Sequence, residues 1–101
     1  MSKACIFLAE GFEEIEALTV VDFLRRAEIE ISMVSVTGDK KVKGSHQITV
    51  LADILFEEAS FEDADILILP GGMPGTTNLT KHEGLDKLLR EFHKKNKNIA
   101  A

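Results

Sequence analysis

Residues 65–72 read Asp-Ile-Leu-Ile-Leu-Pro-Gly-Gly (DILILPGG). The unbroken apolar run from Ile66 to Leu69 does not suit a strand with one wet face. It suits a central parallel strand covered on both faces. Pro70 has no N–H for a ladder, and Gly71-Gly72 follows it, so the strand stops hard at Leu69. Parallel strands need crossover connections, and the flanking sequence supplies them.

Upstream, Lys3 to Leu8 (KACIFL) reads as a short buried strand, and Ala9-Glu10-Gly11 as a turn. In EEIEALTVVDFLRRAEI (13–29), Ile15, Leu18, Val21 and Leu24 recur every third residue. Glu13 and Glu14 stand in the first turn and Arg25 and Arg26 near the end, where each charge complements the helix dipole. Val20 and Phe23 widen the apolar stripe beyond one face, as in a helix that is deeply buried or covered by a partner. Glu30 to Val36 (EISMVSV) is a second strand, so strand, helix and strand form a right-handed parallel unit. Gly38 to Val50 patterns as a hairpin turning near Gly44-Ser45. Ile54 to Phe61 shows no clear period, and Glu57, Glu58, Glu62 and Asp63 place it at the surface.

Downstream, Thr80 and Glu83 match a capping box, followed by Leu85, Leu88, Leu89 and Phe92 at i, i+3, i+4 and i+7. Asn96 to Asn98 turn the chain back, and Ile99-Ala100-Ala101 begins another strand. The order β-α-β-hairpin-β-α-β predicts a flavodoxin-like, doubly wound, mostly parallel sheet. Two clear helices are too few to cover such a sheet. The expectation is that residues 1–101 form the N-terminal part of a single α/β domain, incomplete in this chain.

Composition narrows the function. A chain of 101 residues, 45% hydrophobic, is one small folded unit. The net charge of -5 and the absence of a basic arm exclude nucleic acid as a partner. Lys94, Lys95 and Lys97 sit where cations complement a helix C-terminus. No apolar run approaches the roughly 20 residues of a membrane helix, so no membrane is expected. One cysteine and no targeting segment point to the cytoplasm.

Ligands of open α/β sheets bind beyond the carboxyl ends of the strands. That rule selects AEGFEEIEAL (9–18) and LPGGMPGTTNL (69–79). Glu16 is near enough to the first strand end to point into the crevice, although spacing alone favours an ordinary solvated helix residue. Gly71 and Gly72 allow either a plain turn or a nest of N–H groups for an oxyanion. Neither G-x-x-x-x-G-K-[ST] nor G-x-G-x-x-G occurs, and no cofactor is expected. His46, His82 and His93 have no metal-ligand spacing to Cys5 or to a carboxylate, so no metal is expected. Cys5 lies within the first strand as a structural buried thiol.

LAEGFEEIEALTVVDFLRRA, DILILPGGMPGTTNL and NKNIAA, in that order, resemble the ThiJ/PfpI superfamily, in the branch of parkinsonism-associated protein deglycase and its bacterial relatives. The resemblance runs over essentially the whole chain. It implies that an aliphatic residue and then a nucleophilic cysteine follow I-A-A on a strand-to-helix elbow. Glu16 matches the family's protonated carboxylate that hydrogen-bonds the thiolate, and Gly72 its N–H donor to an oxyanion, with Gly71 supporting the turn. The implied substrates are small reactive carbonyls. The implied partners are the remaining C-terminal part with the cysteine and a second copy docked through the first helix. Relatives carry an arginine where this chain has His46. Two further readings remain open: a redox sensor or chaperone without turnover, and a binding module holding an anion at Gly71 to Thr77. Without a cysteine at the elbow, residues 1–101 alone are expected to be inactive.

Overall fold

The computed structural model describes residues 3–100. Five parallel strands form the main sheet: β1 (Lys3–Leu8), β2 (Glu30–Ser35), β5 (Ile54–Leu55), β6 (Ile66–Ile68) and β7 (Asn98–Ala100). Their spatial order is β5-β2-β1-β6-β7. β1 is central, with Ala4, Cys5 and Ile6 opposite Ile66, Leu67 and Ile68 of β6. β3 (Lys41–Lys43) and β4 (Thr49–Leu51) make a separate antiparallel hairpin. The predicted mostly parallel, doubly wound architecture is therefore observed, with Ala101 of the last predicted strand outside the described residues.

Alternation along β1 builds two cores. Ala4, Ile6 and Leu8 face α1 (Glu14–Arg26), meeting Ala17 and Val21, with Phe12 and Val42 beside them. Cys5 and Phe7 face the other way, toward Leu79 of α2 (Gly75–Thr80) and Leu85 and Phe92 of α3 (Glu83–Lys94). Phe7, Phe56 and Phe61 cluster with ring centroids 5.2 to 6.2 Å apart. The segment from Ile54, patternless in sequence, thus adds an edge strand and two inward aromatic rings while its carboxylates stay outside.

Three local expectations are corrected. Of the predicted apolar stripe of α1, Val21 is buried beside Ala17, and Leu18 and Leu24 pack half-buried against the same core, but Ile15 is 73% exposed and Glu14 is buried instead. The apolar spacing thus fails only at the first turn, where the buried side chain is a carboxylate rather than Ile15. The capping box is not formed. Thr80 ends α2 and donates its hydroxyl to the Thr76 carbonyl, and His82 caps α3 by accepting the Leu85 N–H on Nδ1 at 2.9 Å. Finally, residues 75–80 are helical rather than part of a glycine loop.

Candidate functional site

The carboxyl ends of β1, β6 and β7 open on one side of the sheet, where α1 and the segment after β6 begin. Leu69 continues β6 and donates its N–H to the Ala100 carbonyl at 2.8 Å. Pro70 then ends the ladder. The Glu13 N–H donates to the Gly71 carbonyl at 2.9 Å, joining the start of α1 to the glycine turn. Gly72 has φ +103, and a Cβ there would lie 2.6 Å from the Glu13 backbone nitrogen. Only glycine fits a left-handed position so close to another backbone.

Glu16 is on the first turn of α1, with its carboxylate over Gly71. A Cβ on Gly71 would be 3.1 Å from Oε1. The Glu16 side chain borders two cavities. One, of about 340 Å³, is lined by Leu69, Gly71, Thr76, Leu79, Leu85 and Leu89 among others. The second, of about 220 Å³, lies beside Ile6, Val20, Ile68 and Ala100. Glu16 is exposed in this chain, and a carboxyl in such a place can donate to, or accept from, a group seated at the strand ends. The structure therefore brings Glu16 and Gly71, 55 residues apart in the chain, together at the strand ends, whereas Gly72 packs against Glu13 and lines neither cavity.

Other candidates lie elsewhere. Cys5 is 3% exposed in mid-strand, and burial pushes its thiol pKa up, which makes a poor nucleophile. His82 serves as a helix cap against the Phe56 ring. His46 does approach carboxylates, contrary to what sequence spacing suggested. Its Nδ1 is 2.9 Å from Glu14 Oε1 and 3.7 Å from Glu13 Oε2. These donor atoms could be read as a ligand set. Both oxygens of Glu14 already accept hydrogen bonds from the hairpin, a network that becomes an ion pair when His46 is protonated.

Glu14 is the residue the sequence reading misplaced. It is 2% exposed. Burial alone would raise its carboxyl pKa. Hydrogen bonds from the His46 ring, its own backbone and the N–H groups of His46 and Ile48 outweigh burial and hold it at about 2. Glu13 caps the helix, its Oε1 accepting the Ile15 N–H at 2.8 Å. The two glutamates thus have different jobs, where a dipole argument treats them alike.

Residues 2–101 match the DJ-1/PfpI family, and the chain belongs to that family. It is 36% identical over 90 residues to Protein DJ-1 homolog A of Arabidopsis thaliana, covering 89% of this chain and 23% of that protein. It is 34% identical over 102 residues to a fission-yeast protein named glutathione-independent glyoxalase DJ-1, covering 94% of this chain and 53% of the other. The structure of oxidized Toxoplasma gondii DJ-1 superposes with TM-score 0.93 at 33% identity, covering 98% of this chain and 54% of that one. The chain thus spans about half, or less, of the length of these relatives. Among the described residues, no helix is long and apolar enough to cross a membrane.

Proposed function

We propose that this chain supplies the acid and backbone half of a cysteine-dependent stress protein acting on small reactive carbonyls, of glyoxalase or deglycase type. The observation that carries the reading is Glu16 standing over Gly71, in a cavity shared with Ala100 at the end of β7. A residue shortly after Ala100 would emerge beside that carboxyl. The nucleophile is a cysteine on the C-terminal part of the polypeptide, at the elbow that follows β7. The similarity to a protein named as a glyoxalase supports the carbonyl substrate.

In this reading the Glu16 carboxyl is protonated and donates to the cysteine thiolate, stabilising its charge. The sulfur adds to the aldehyde carbon of glyoxal or methylglyoxal. A C–S bond forms, the carbonyl π pair moves to oxygen, and that oxygen, held by the Gly72 N–H, takes a proton to give the hemithioacetal. Hydrogen then shifts from the aldehyde carbon to the neighbouring carbonyl carbon as a proton, and water releases the acid from sulfur. The substrate is internally oxidised and reduced, so no outside redox partner or metal is needed. The test is methylglyoxal consumption by the full-length protein. Glu16→Ala should lower turnover at least tenfold, since general-acid and hydrogen-bond contributions of this kind are worth about 10²-fold or more. Unchanged turnover refutes the assignment.

A second reading is a redox sensor or chaperone without turnover, favoured by the likeness to oxidized Toxoplasma gondii DJ-1. A low-pKa cysteine oxidises to sulfinic acid, which a neutral Glu16 would hydrogen-bond. Peroxide treatment with peptide mass mapping, alongside absent methylglyoxal turnover, distinguishes it.

A homodimer through α1 accompanies either reading. Ile15 and Phe23 on α1 are 73% and 71% exposed, and Ile48 and Leu51 of the hairpin add to the apolar surface. Exposed large apolar side chains grouped in this way suit a protein partner. A reducing cytoplasmic setting fits one buried thiol and a second, reactive one.

A further inference from the structure

The tip of the hairpin, residues 44–48, is held to the start of α1 by one buried carboxylate. Glu14 Oε2 accepts the His46 N–H at 2.7 Å and the Ile48 N–H at 3.2 Å. Glu14 Oε1 accepts from the His46 ring Nδ1 at 2.9 Å and the Ser45 hydroxyl at 3.4 Å. The hairpin in turn grips the loop before α1. The Ser45 N–H donates to the Phe12 carbonyl and the Gly11 N–H to the Lys43 carbonyl, both at 2.8 Å. That loop grips the glycine turn, because the Gly75 N–H donates to the Gly11 carbonyl at 3.1 Å and the Glu13 N–H to the Gly71 carbonyl at 2.9 Å. A continuous set of hydrogen bonds therefore runs from His46 to Gly71.

We propose that Glu14 and His46 form a proton-set latch that positions the hairpin tip and, through residues 11–13, the Gly71–Gly72 turn. Glu14 is the fixed half, ionised and buried. His46, with its side chain 63% exposed, is the half that exchanges protons with solvent. The charged groups facing the pair are few. On α1 there are Glu13 and Glu14, in the preceding loop Glu10, which accepts the Lys43 N–H, and on the hairpin Lys43 itself. Residues 70–77 contain no titratable side chain.

The signs define the working range. His46 has its pKa raised above 6.5, first by the Glu14 hydrogen bond and then by the charges of Glu13 and Glu14. Its contribution is complete below pH 6.5 and is lost as pH rises through the raised value. Glu14 has its pKa lowered from 4.5 to about 2. Its contribution is complete above pH 4.5 and is lost as pH falls toward 2. The latch is tightest between these limits and relaxes on the alkaline side of the His46 titration. Neutral His46 can still donate from Nδ1, so the latch then weakens without opening fully. An arginine at this position would lack the setting, because its charge does not titrate.

The latch does not rest on the carbonyl chemistry above, because its readouts are a titration and amide exchange rates. Proton NMR follows the His46 ring while exchange of the His46, Ile48, Glu13 and Gly75 amides is measured from pH 5 to 9, each rate divided by its intrinsic rate. His46 should titrate above 6.5. Protection at all four amides should fall together through that titration by about two- to fivefold, the range an exposed ion pair supports. Amides in the middle of α3 should not follow. His46→Arg should hold the acid-side protection at every pH, and this exposed position tolerates the change even if Glu14→Gln fails to fold. Titration of His46 at or below 6.5 overturns the proposal. So does a pH dependence that survives His46→Arg, or a hairpin that responds while Glu13 and Gly75 do not.

Discussion

Replacing Gly72 by alanine tests the geometry of the glycine turn directly. At a relaxed position the change would stabilise, by about 0.4–1 kcal/mol, through the unfolded chain. Here the backbone sits at φ +103, and the new Cβ would lie 2.6 Å from the Glu13 nitrogen and 3.1 Å from the Gly11 carbonyl oxygen. An L-residue held at a strained positive φ costs about 1–3 kcal/mol. The overlap is with backbone, which cannot swing aside as a side chain would. Relieving it moves Glu13 from the Gly71 carbonyl and sacrifices a hydrogen bond worth about 0.5–1.5 kcal/mol. The sum is a destabilisation of about 2–4 kcal/mol, a large share of the roughly 5–15 kcal/mol typical of a domain. Urea unfolding followed by far-ultraviolet circular dichroism suits a chain with no tryptophan or tyrosine. Gly38→Ala is the control, since Gly38 also has positive φ, at +88, but opens on empty space. Gly72→Ala should lose at least about 1 kcal/mol more than Gly38→Ala. Equal losses, or a stabilised Gly72→Ala, would refute the close approach of the turn to Glu13.

Leu85, 1% exposed on the inner face of α3, should cost about 2–5 kcal/mol when cut to alanine, read by the same unfolding experiment. His82→Ala should cost about 1 kcal/mol by freeing the Leu85 N–H, and His82→Asn should recover most of it. Acid unfolding of the wild type should show a loss between pH 4.5 and about 2 that is missing in Glu14→Gln, because the Glu14 carboxyl has its pKa depressed in the fold. The wild type should run as the proposed dimer in light scattering, and replacing Ile15 and Phe23 together by serine should give a monomer with little loss of stability, both being exposed. A purified chain of residues 1–101 should show no methylglyoxal turnover.

The strands and α3 were legible because their signals are local. DILIL followed by Pro-Gly-Gly, and the Leu85–Leu88–Leu89–Phe92 period, carry their meaning within one element. The strand-end rule likewise selected residues 9–18 and 69–79, and the fold does bring Glu16 of the first over Gly71 of the second, because a parallel sheet fixes where loops from distant segments converge; the choice of Glu16, Gly71 and Gly72 within those segments came from the family resemblance. What escaped was set by tertiary contact. Glu14 reads as a first-turn acid until the hairpin is folded onto it, and its partner His46 is 32 residues away. Thr80 looked like a cap because it precedes Glu83 at the right spacing, yet its hydroxyl turns back to Thr76 and His82 takes the position. β5 is two residues long and held by β2, too short to leave a period.

The central claim is that Glu16 tunes a thiolate seated at the end of β7. It is tested most directly by the pH dependence of thiolate absorbance in the full-length protein, wild type against Glu16→Ala. The account predicts a cysteine that ionises below the usual thiol range of about 8.5 in the wild type and at a clearly higher pH in the variant. Identical titration curves would contradict it, and would leave Glu16 a solvated helix residue.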